Sequence, residues 1–160
     1  MNPIRIRLAK PADLYAIYHI EESSFSEPYP HSLLSKLLRD FPNSYLVAEI
    51  DRGTIVGYSV ASDDGDFAHL ISIGVLLKYR RRGVGTALIQ ELLEKLRLRV
   101  RELRLEVNQR NAEAIKLYED LGFKRTSVIE NYYADGSPAV KMELTIHATS
   151  DNQSRRKMAT

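Results

Sequence analysis

Apolar and polar positions repeat with period two in some stretches of this chain and with a period near four in others. The switches between the two mark its elements. Ile4 to Leu8 alternates apolar residues with arginine and reads as a half-buried strand. Pro11-Ala12-Asp13 then opens a helix that carries Leu14, Ile17, Tyr18 and Ile20 on its inner face. Ser23 to Pro30 breaks both patterns, with two prolines and two aromatics, and is expected to be an irregular loop. A second short helix is predicted over Ser32 to Arg39, closed off by Pro42. Tyr45 to Ile50 and Thr54 to Ser62 read as strands joined by an Asp51-Arg52-Gly53 hairpin turn, with another turn at Asp63 to Asp66.

The next segment is the most informative. A β-branched, apolar strand from Leu70 to Leu77 runs into Arg80, Arg81 and Arg82, then Gly83-Val84-Gly85-Thr86, then a long amphipathic helix. That helix repeats Val84, Leu88, Leu92, Leu96 and Val100 at four-residue steps, a stripe made to face a sheet. Gly83 and Gly85 allow a backbone to approach a ligand and accept positive φ. The first helical turn then offers unpaired N–H groups at the positive end of the dipole. A pyrophosphate is the expected ligand. Gly74, inside the strand, hints at a bulge.

Leu103, Leu105 and Val107 alternate as a further strand. Asn111 is a good N-cap for a helix with Ala114, Ile115, Tyr118 and Leu121 at helical spacing, stopped by Gly122. Lys124 to Ile129 and Val140 to Ile146 are the last strands, linked by a segment containing Asp135-Gly136. The order β-α-α-β-β-β-α-β-α-β-β predicts a mixed sheet with helices on its faces.

Composition narrows the classes. The 160 residues suit one domain, with 44% hydrophobic and 28% charged residues. No apolar run approaches the roughly 20 residues of a membrane span. Met1 to Arg5 lacks the shape of a signal peptide, so a cytoplasmic location is expected. The chain has no cysteine, which excludes disulfides, thiolate metal sites and a cysteine acyl-enzyme. Residues 147–160 hold three of the 23 basic and one of the 21 acidic groups, leaving 20 of each elsewhere. The body is therefore neutral, and the positive excess lies in a polar tail expected to be disordered. Arg97, Arg99, Arg101 and Arg104 interleave with Glu91, Glu94 and Glu102, a solvated, paired face rather than a nucleic-acid surface. His19, His31 and His147 are scattered, and no metal site is suggested.

Three segments in order resemble a known family. Arg80-x-x-Gly83-x-Gly85 after the Ser72-Ile73-Gly74-Val75 strand is similar to the acetyl-CoA site of GNAT-type N-acetyltransferases. So is the string Leu105-Glu106-Val107-Asn108 followed by Asn111-x-x-Ala114-Ile115-x-Leu117-Tyr118-x-x-Leu121-Gly122-Phe123. Asn131-Tyr132-Tyr133 and the Phe25 to Tyr29 loop resemble the RimI/Ard1-like branch, which acetylates protein N-termini. The likeness covers about residues 4–146, one domain. It implies an α/β (α+β) fold: a mixed, mostly antiparallel seven-stranded sheet, about four helices on its faces, and central parallel strands splayed to form a slot.

The resemblance also implies roles. Amides of Arg81, Arg82, Gly83, Val84, Gly85 and Thr86 would hold the CoA pyrophosphate, and backbone atoms of Ile73, Gly74 and Val75 would pair with the pantetheine arm. The alternative for the arginines is a solvated surface run, their side chains facing water while their amides bind. The chemistry is attack of a free amine on a thioester. A protein α-amine has pKa ~8 against ~10.4 for lysine, so a modest base suffices. Glu106 is the first candidate: its neighbours Leu105 and Val107 point to the opposite strand face, placing it alone among apolar residues. The alternative is a partner for a core arginine such as Arg104 or Arg7. His69, at the start of the opening strand, matches a position where some relatives carry a catalytic tyrosine, and shares the base role or is a plain hydrogen-bonding residue. Tyr118 is the candidate acid for the leaving thiolate, or a core tyrosine. Asn111 contacts CoA, caps its helix, or both. Acceptor recognition falls to Phe25, Glu27, Pro28 and Tyr29 and to Tyr132 and Tyr133; the first loop serves equally as an aromatic lid. Glu22 or Glu27 would meet the substrate's ammonium.

The leading function is then transfer of acetyl from acetyl-CoA to the α-amine of a ribosomal protein or nascent chain, in a ternary complex. The alternatives are a small-molecule amine acetyltransferase of the same fold and a non-catalytic acyl-CoA-binding module. The expected partner is a protein or peptide N-terminus, with the ribosome a candidate, no specific nucleic acid and no membrane. Monomer and homodimer stay open.

Overall fold

The computed structural model describes residues 3–63 and 65–146. The expected tail, residues 147–160, lies outside the described residues. The elements follow in the order β1 (Arg5–Leu8), α1 (Leu14–Ser24), α2 (His31–Asp40), β2 (Tyr45–Ile50), β3 (Thr54–Ser62) and β4 (Phe67–Val75). Then come α3 (Val84–Leu96), β5 (Glu102–Asn108), α4 (Ala112–Asp120), β6 (Lys124–Ile129) and β7 (Ala139–Thr145). The seven strands take the order β1-β2-β3-β4-β5-β7-β6, and every pairing whose register is defined is antiparallel except β4 with β5. The expected mixed, mostly antiparallel seven-stranded sheet with four helices is what forms. Among the described residues, no helix is long and apolar enough to cross a membrane.

Among the described residues the chain forms two compact units, 3–62 with 70–95, and 63 and 65–69 with 96–146. In the first, β1, β2 and β3 form an antiparallel meander, with the hairpin turned at Asp51 (φ +51°) and Gly53 (φ +97°). The inner faces of α1 and α2 meet the sheet in a core of Ile17, Ile20, Leu34, Leu37, Leu38, Tyr45, Val47, Tyr58 and Val60. Fully burying one such aliphatic side chain contributes about 1.5–3 kcal/mol. The charged face of β1 is tied down as well. Arg7 donates to both oxygens of Asp13 at 2.7 and 2.9 Å and to Glu49 at 2.7 Å. Asp13 also accepts the Lys10 N–H and so fixes the turn before α1.

The opening strand differs from its sequence pattern at both ends. It starts three residues earlier, at Phe67, because backbone pairing, not side-chain pattern, extends it: Phe67, Ala68 and His69 align with Glu102, Leu103 and Arg104 of β5. It stops two residues earlier, at Val75. The Leu76 N–H donates to Val56, and Leu77–Tyr79 tightens into a single 3₁₀ turn. Leu77, apolar by pattern, is 78% exposed.

In the second unit β5 is central, pairing with β7 from Glu102↔Thr145 to Asn108↔Ala139, and β7 pairs in turn with β6. Leu103, Leu105 and Val107 are buried on one face of β5. The Asn111 side chain accepts the Ala114 N–H at 3.1 Å and caps α4 as expected. Gly122 ends the following turn at φ +104°.

Candidate active site

Within the first unit, the segment after β4 has the shape of an anion cradle. Arg80 Nε donates to the Val75 carbonyl at 2.9 Å, and its Nη2 reaches Ser24 Oγ at 3.5 Å. This arginine braces the strand exit. The left-handed residues of the turn are Arg81 (φ +59°) and Gly83 (φ +82°). Gly85 does not share that role, since it is already the second residue of α3. A Cβ on Gly83 would meet nothing within 4 Å, so the backbone there stands open to a ligand. The Ala87 N–H bonds back to the Gly83 carbonyl as α3 begins. The amides of the preceding turn lack intrahelical acceptors and point along the positive end of the dipole. The Arg81 and Arg82 side chains are exposed; Arg82 and Lys78 each lie 5.8 Å from the Tyr79 ring centroid. With Ile4, Ile50, Asp51 and Val84 these residues line a hollow of about 260 Å³. The open turn and the helix start fit a pyrophosphate.

Gly74 is a glycine because of close packing. A Cβ there would sit 3.0 Å from Ile20 Cγ2 and 3.0 Å from Tyr58 Cε1. Beside it, the segment between α1 and α2 presents Phe25, 41% exposed, with Glu27 and Tyr29 also at the surface and Pro28 half-buried. Beneath that segment lies a residue the sequence reading passed over. Glu21, 2% exposed, accepts from Tyr58 Oη, from Ser72 Oγ at 3.0 Å and from the Tyr29 backbone N–H at 2.9 Å. Tyr58 and Ser72 also hydrogen-bond each other at 2.8 Å. Burial, with the nearby Glu21 charge adding, pushes the Tyr58 and Tyr45 hydroxyls well above the ordinary tyrosine range. A signal for Glu21 was present: it stands four residues after Ile17 and three before Ser24, on the buried stripe of α1 rather than the solvent face where Glu22 lies.

Within the second unit, His69 and Glu106 meet. His69 Nε2 lies 2.5 Å from Glu106 Oε2, with both side chains partly buried. The hydrogen bond from His69 holds the Glu106 carboxyl below its ordinary range; burial opposes this, and the Lys141 charge reinforces it. Glu106 is thus not alone among apolar residues. Its face of β5 also carries Glu102, Arg104 and Asn108, and its register partner on β7 is Lys141. Neither arginine considered as its partner holds it. Arg104 bonds Glu102 at 2.7 Å and lies 3.8 Å over the Phe67 ring, while Arg7 is engaged by Asp13 and Glu49.

Tyr118 is 6% exposed and packs edge-on against Phe123 at 5.5 Å. Burial foremost, then the neighbouring Tyr133, pushes its hydroxyl well above the ordinary tyrosine value. Tyr132 and Tyr133 stand edge to face at 4.9 Å, and both backbone N–H groups donate to the Ser137 carbonyl. The turn that carries them uses Asn131 at φ +54° and Gly136 at φ +85°. Asn111 Oδ1 serves the helix cap with one lone pair, which leaves its other lone pair and its NH2 for the CoA contact the resemblance implies.

Comparison with known proteins gives the class, an acetyl-transferring enzyme. The acetyltransferase (GNAT) family profile matches residues 14–123. This chain belongs to the GNAT acetyltransferase family. An N-alpha-acetyltransferase of Sulfurisphaera tokodaii is 36% identical over 152 residues, covering 86% of this chain and 90% of the relative. The [ribosomal protein bS18]-alanine N-acetyltransferase of Escherichia coli is 35% identical over 139 residues, covering 84% and 92%. Among solved structures, Ard1 from Thermoplasma volcanium superposes with a TM-score of 0.85 at 34% identity, covering 90% of this chain and 98% of that one.

Proposed function

We propose that this chain transfers the acetyl group of acetyl-CoA to the α-amine of a protein N-terminus, by direct attack in a ternary complex in the cytoplasm. The His69–Glu106 contact carries the catalytic part of this reading. The acceptor class rests on the near full-length similarity to enzymes named for N-alpha acetylation.

The roles are those the family resemblance implies, and the open Gly83 turn and the His69–Glu106 contact support them. The amides of Arg81 to Thr86 would bind the pyrophosphate, and the backbone of Ile73 to Val75 the pantetheine arm. Phe25, Glu27, Pro28 and Tyr29, with Tyr132 and Tyr133, would receive the peptide. Glu106, ionised and acceptor-only, takes the Nε2–H bond of His69 and leaves the lone pair of the neutral ring on Nδ1. That nitrogen, directly or through one water, accepts the proton released as the amine nitrogen bonds to the acetyl carbon. Tyr118 keeps its proton far into alkaline pH and donates a hydrogen bond to the sulfur as the C–S bond breaks. Lacking cysteine, the chain offers no thiol for an acetyl-cysteine intermediate.

The test is a panel of peptides varied at the first residue, assayed with acetyl-CoA beside polyamines, aminoglycosides and free amino acids. Mass spectrometry showing acetyl on the peptide α-amine is the expected result. Transfer to the small amines and not to peptides overturns the acceptor assignment, and CoA binding without transfer to any amine overturns the enzyme assignment.

A further inference from the structure

One residue holds both ends of the loop that follows α1. The Glu21 backbone carbonyl accepts the Phe25 N–H at 3.1 Å, the last helical bond of α1. Its side-chain Oε2 accepts the Tyr29 N–H at 2.9 Å, just before Pro30 caps α2 by accepting from Leu33 and Leu34. The five residues from Phe25 to Tyr29 are closed into a loop on a single glutamate. The other carboxylate oxygen is locked by Tyr58 on β3 and Ser72 on β4, so the carboxylate cannot swing without breaking two further bonds. Residues 25–29 otherwise show no regular secondary structure, and Phe25 and Tyr29 are large exposed hydrophobics on them. An ordered, exposed aromatic loop over a buried carboxylate needs a reason, since a buried acid is costly and an apolar residue would fill the same space.

We infer that Glu21 is a positioning residue for the acceptor: it sets the conformation of residues 25–29 and, through Ser72, ties that conformation to the strand whose next residues would hold the pantetheine arm. This rests on the reading that residues 25–29 receive the peptide. Pre-ordering such a loop lowers the entropy lost on peptide binding. The cost of losing the latch is thus expected in peptide KM more than in the chemical step.

The chemistry of the contact defines the variants. Glu21→Ala removes all three acceptor bonds. Glu21→Gln keeps the latch: its Oε1 accepts the Tyr29 N–H, while its NH2 donates to Tyr58 Oη and Ser72 Oγ, hydroxyls that accept as well as donate. Glu21→Ala is expected to raise peptide KM roughly tenfold or more, on the scale of a buried charge-assisted hydrogen bond. Its kcat should stay within about threefold, and calorimetric acetyl-CoA affinity should stay unchanged if only the acceptor loop is freed. Glu21→Gln should restore peptide KM to near the wild-type value. Unchanged KM in Glu21→Ala, equal losses in peptide and acetyl-CoA binding, or failure of Gln to rescue would each overturn the inference. Amide hydrogen exchange on the wild-type chain reads the latch without any variant or activity. The Tyr29 amide should exchange far more slowly than those of Ser26 and Glu27, and equal rates would overturn the latch. Slow Tyr29 exchange in a chain that acetylates no peptide would instead overturn the acceptor reading while leaving the latch in place.

Discussion

Replacing Glu106 by glutamine keeps the size of the side chain and removes its charge, which separates the roles within the His69–Glu106 pair. Glutamine presents an uncharged oxygen, or an NH2 donor, to His69 Nε2. In the first case the hydrogen bond is weaker, and in the second the ring must carry its proton on Nδ1, the nitrogen assigned to accept. Either way the proton acceptor is mis-set. Positioned acid–base groups contribute roughly 10²–10⁴ in rate, so kcat should fall at least about a hundredfold, or ~2.7 kcal/mol of transition-state stabilisation. The expected loss of folding stability is smaller, about 1 kcal/mol, because both partners are partly exposed and solvent screens the pair. The Glu106 carboxyl titrates lower in the folded chain than in the unfolded one, so its contribution is present above the reference value of 4.5 and is lost as pH falls through the folded value. The stability gap between variant and wild type should therefore close below pH ~4.5. Release of CoA thiol is a clean assay, since a thiol reagent finds no cysteine in the enzyme. Because the pair acts as a unit, the Glu106→Gln, His69→Ala double variant should be no slower than the worse single variant. A kcat for Glu106→Gln within twofold of wild type, or fully additive losses in the double variant, would refute the pairing argument.

Tyr118→Phe should lower kcat tenfold or more without changing the shape of the rate profile between pH 6 and 10, because the raised hydroxyl does not titrate in that window. An alkaline limb that disappears in the variant would contradict this. Gly83→Ala should cost only about 1–2 kcal/mol of left-handed strain in thermal unfolding, since its Cβ meets no neighbour, while calorimetric acetyl-CoA affinity falls. Gly74→Ala should destabilise by about 1–3 kcal/mol through overpacking against Ile20 and Tyr58; a Gly83→Ala variant with unchanged acetyl-CoA affinity, or a Gly74→Ala variant as stable as wild type, would undo the distinction. Arg7→Gln should cost about 3 kcal/mol in urea unfolding at pH 7, because it strands the buried Asp13 carboxylate. Burial pushes that carboxyl up, but hydrogen bonds from Arg7 and the Lys10 amide outweigh it and leave it below its reference value of 3.8. The deficit should shrink as pH drops through that region, and a pH-independent deficit would rule the ion pair out as its source.

The features legible in the sequence were those written in periodicity and in local backbone demands. The four-residue stripe of α3, the alternation of β5 and the Asn111 cap each follow from neighbours within a turn or two, so local physics sufficed. The Gly83 turn was legible because a left-handed residue before a helix is a local requirement, although the same reasoning overreached at Gly85, where the helix had already begun. What stayed hidden were pairings set by strand register. That β4 extends back to Phe67, and that His69 therefore faces Glu106 across 37 residues of sequence, depends on the alignment of Phe67 with Glu102. No window of sequence contains that information. The two glutamates show the boundary between the two kinds of signal. Glu106 and His69 were both singled out by the resemblance, yet the contact between them was not legible, and the arginines considered for Glu106 are held elsewhere. Glu21 had no motif but was detectable by periodicity, being a charged residue in register with Ile17 on a buried helical stripe. A charge on such a stripe must find donors or cost several kcal/mol, so its position alone demands a network around it. That makes a charged residue that violates its own helix pattern a guide to a buried network that motif likeness passes over.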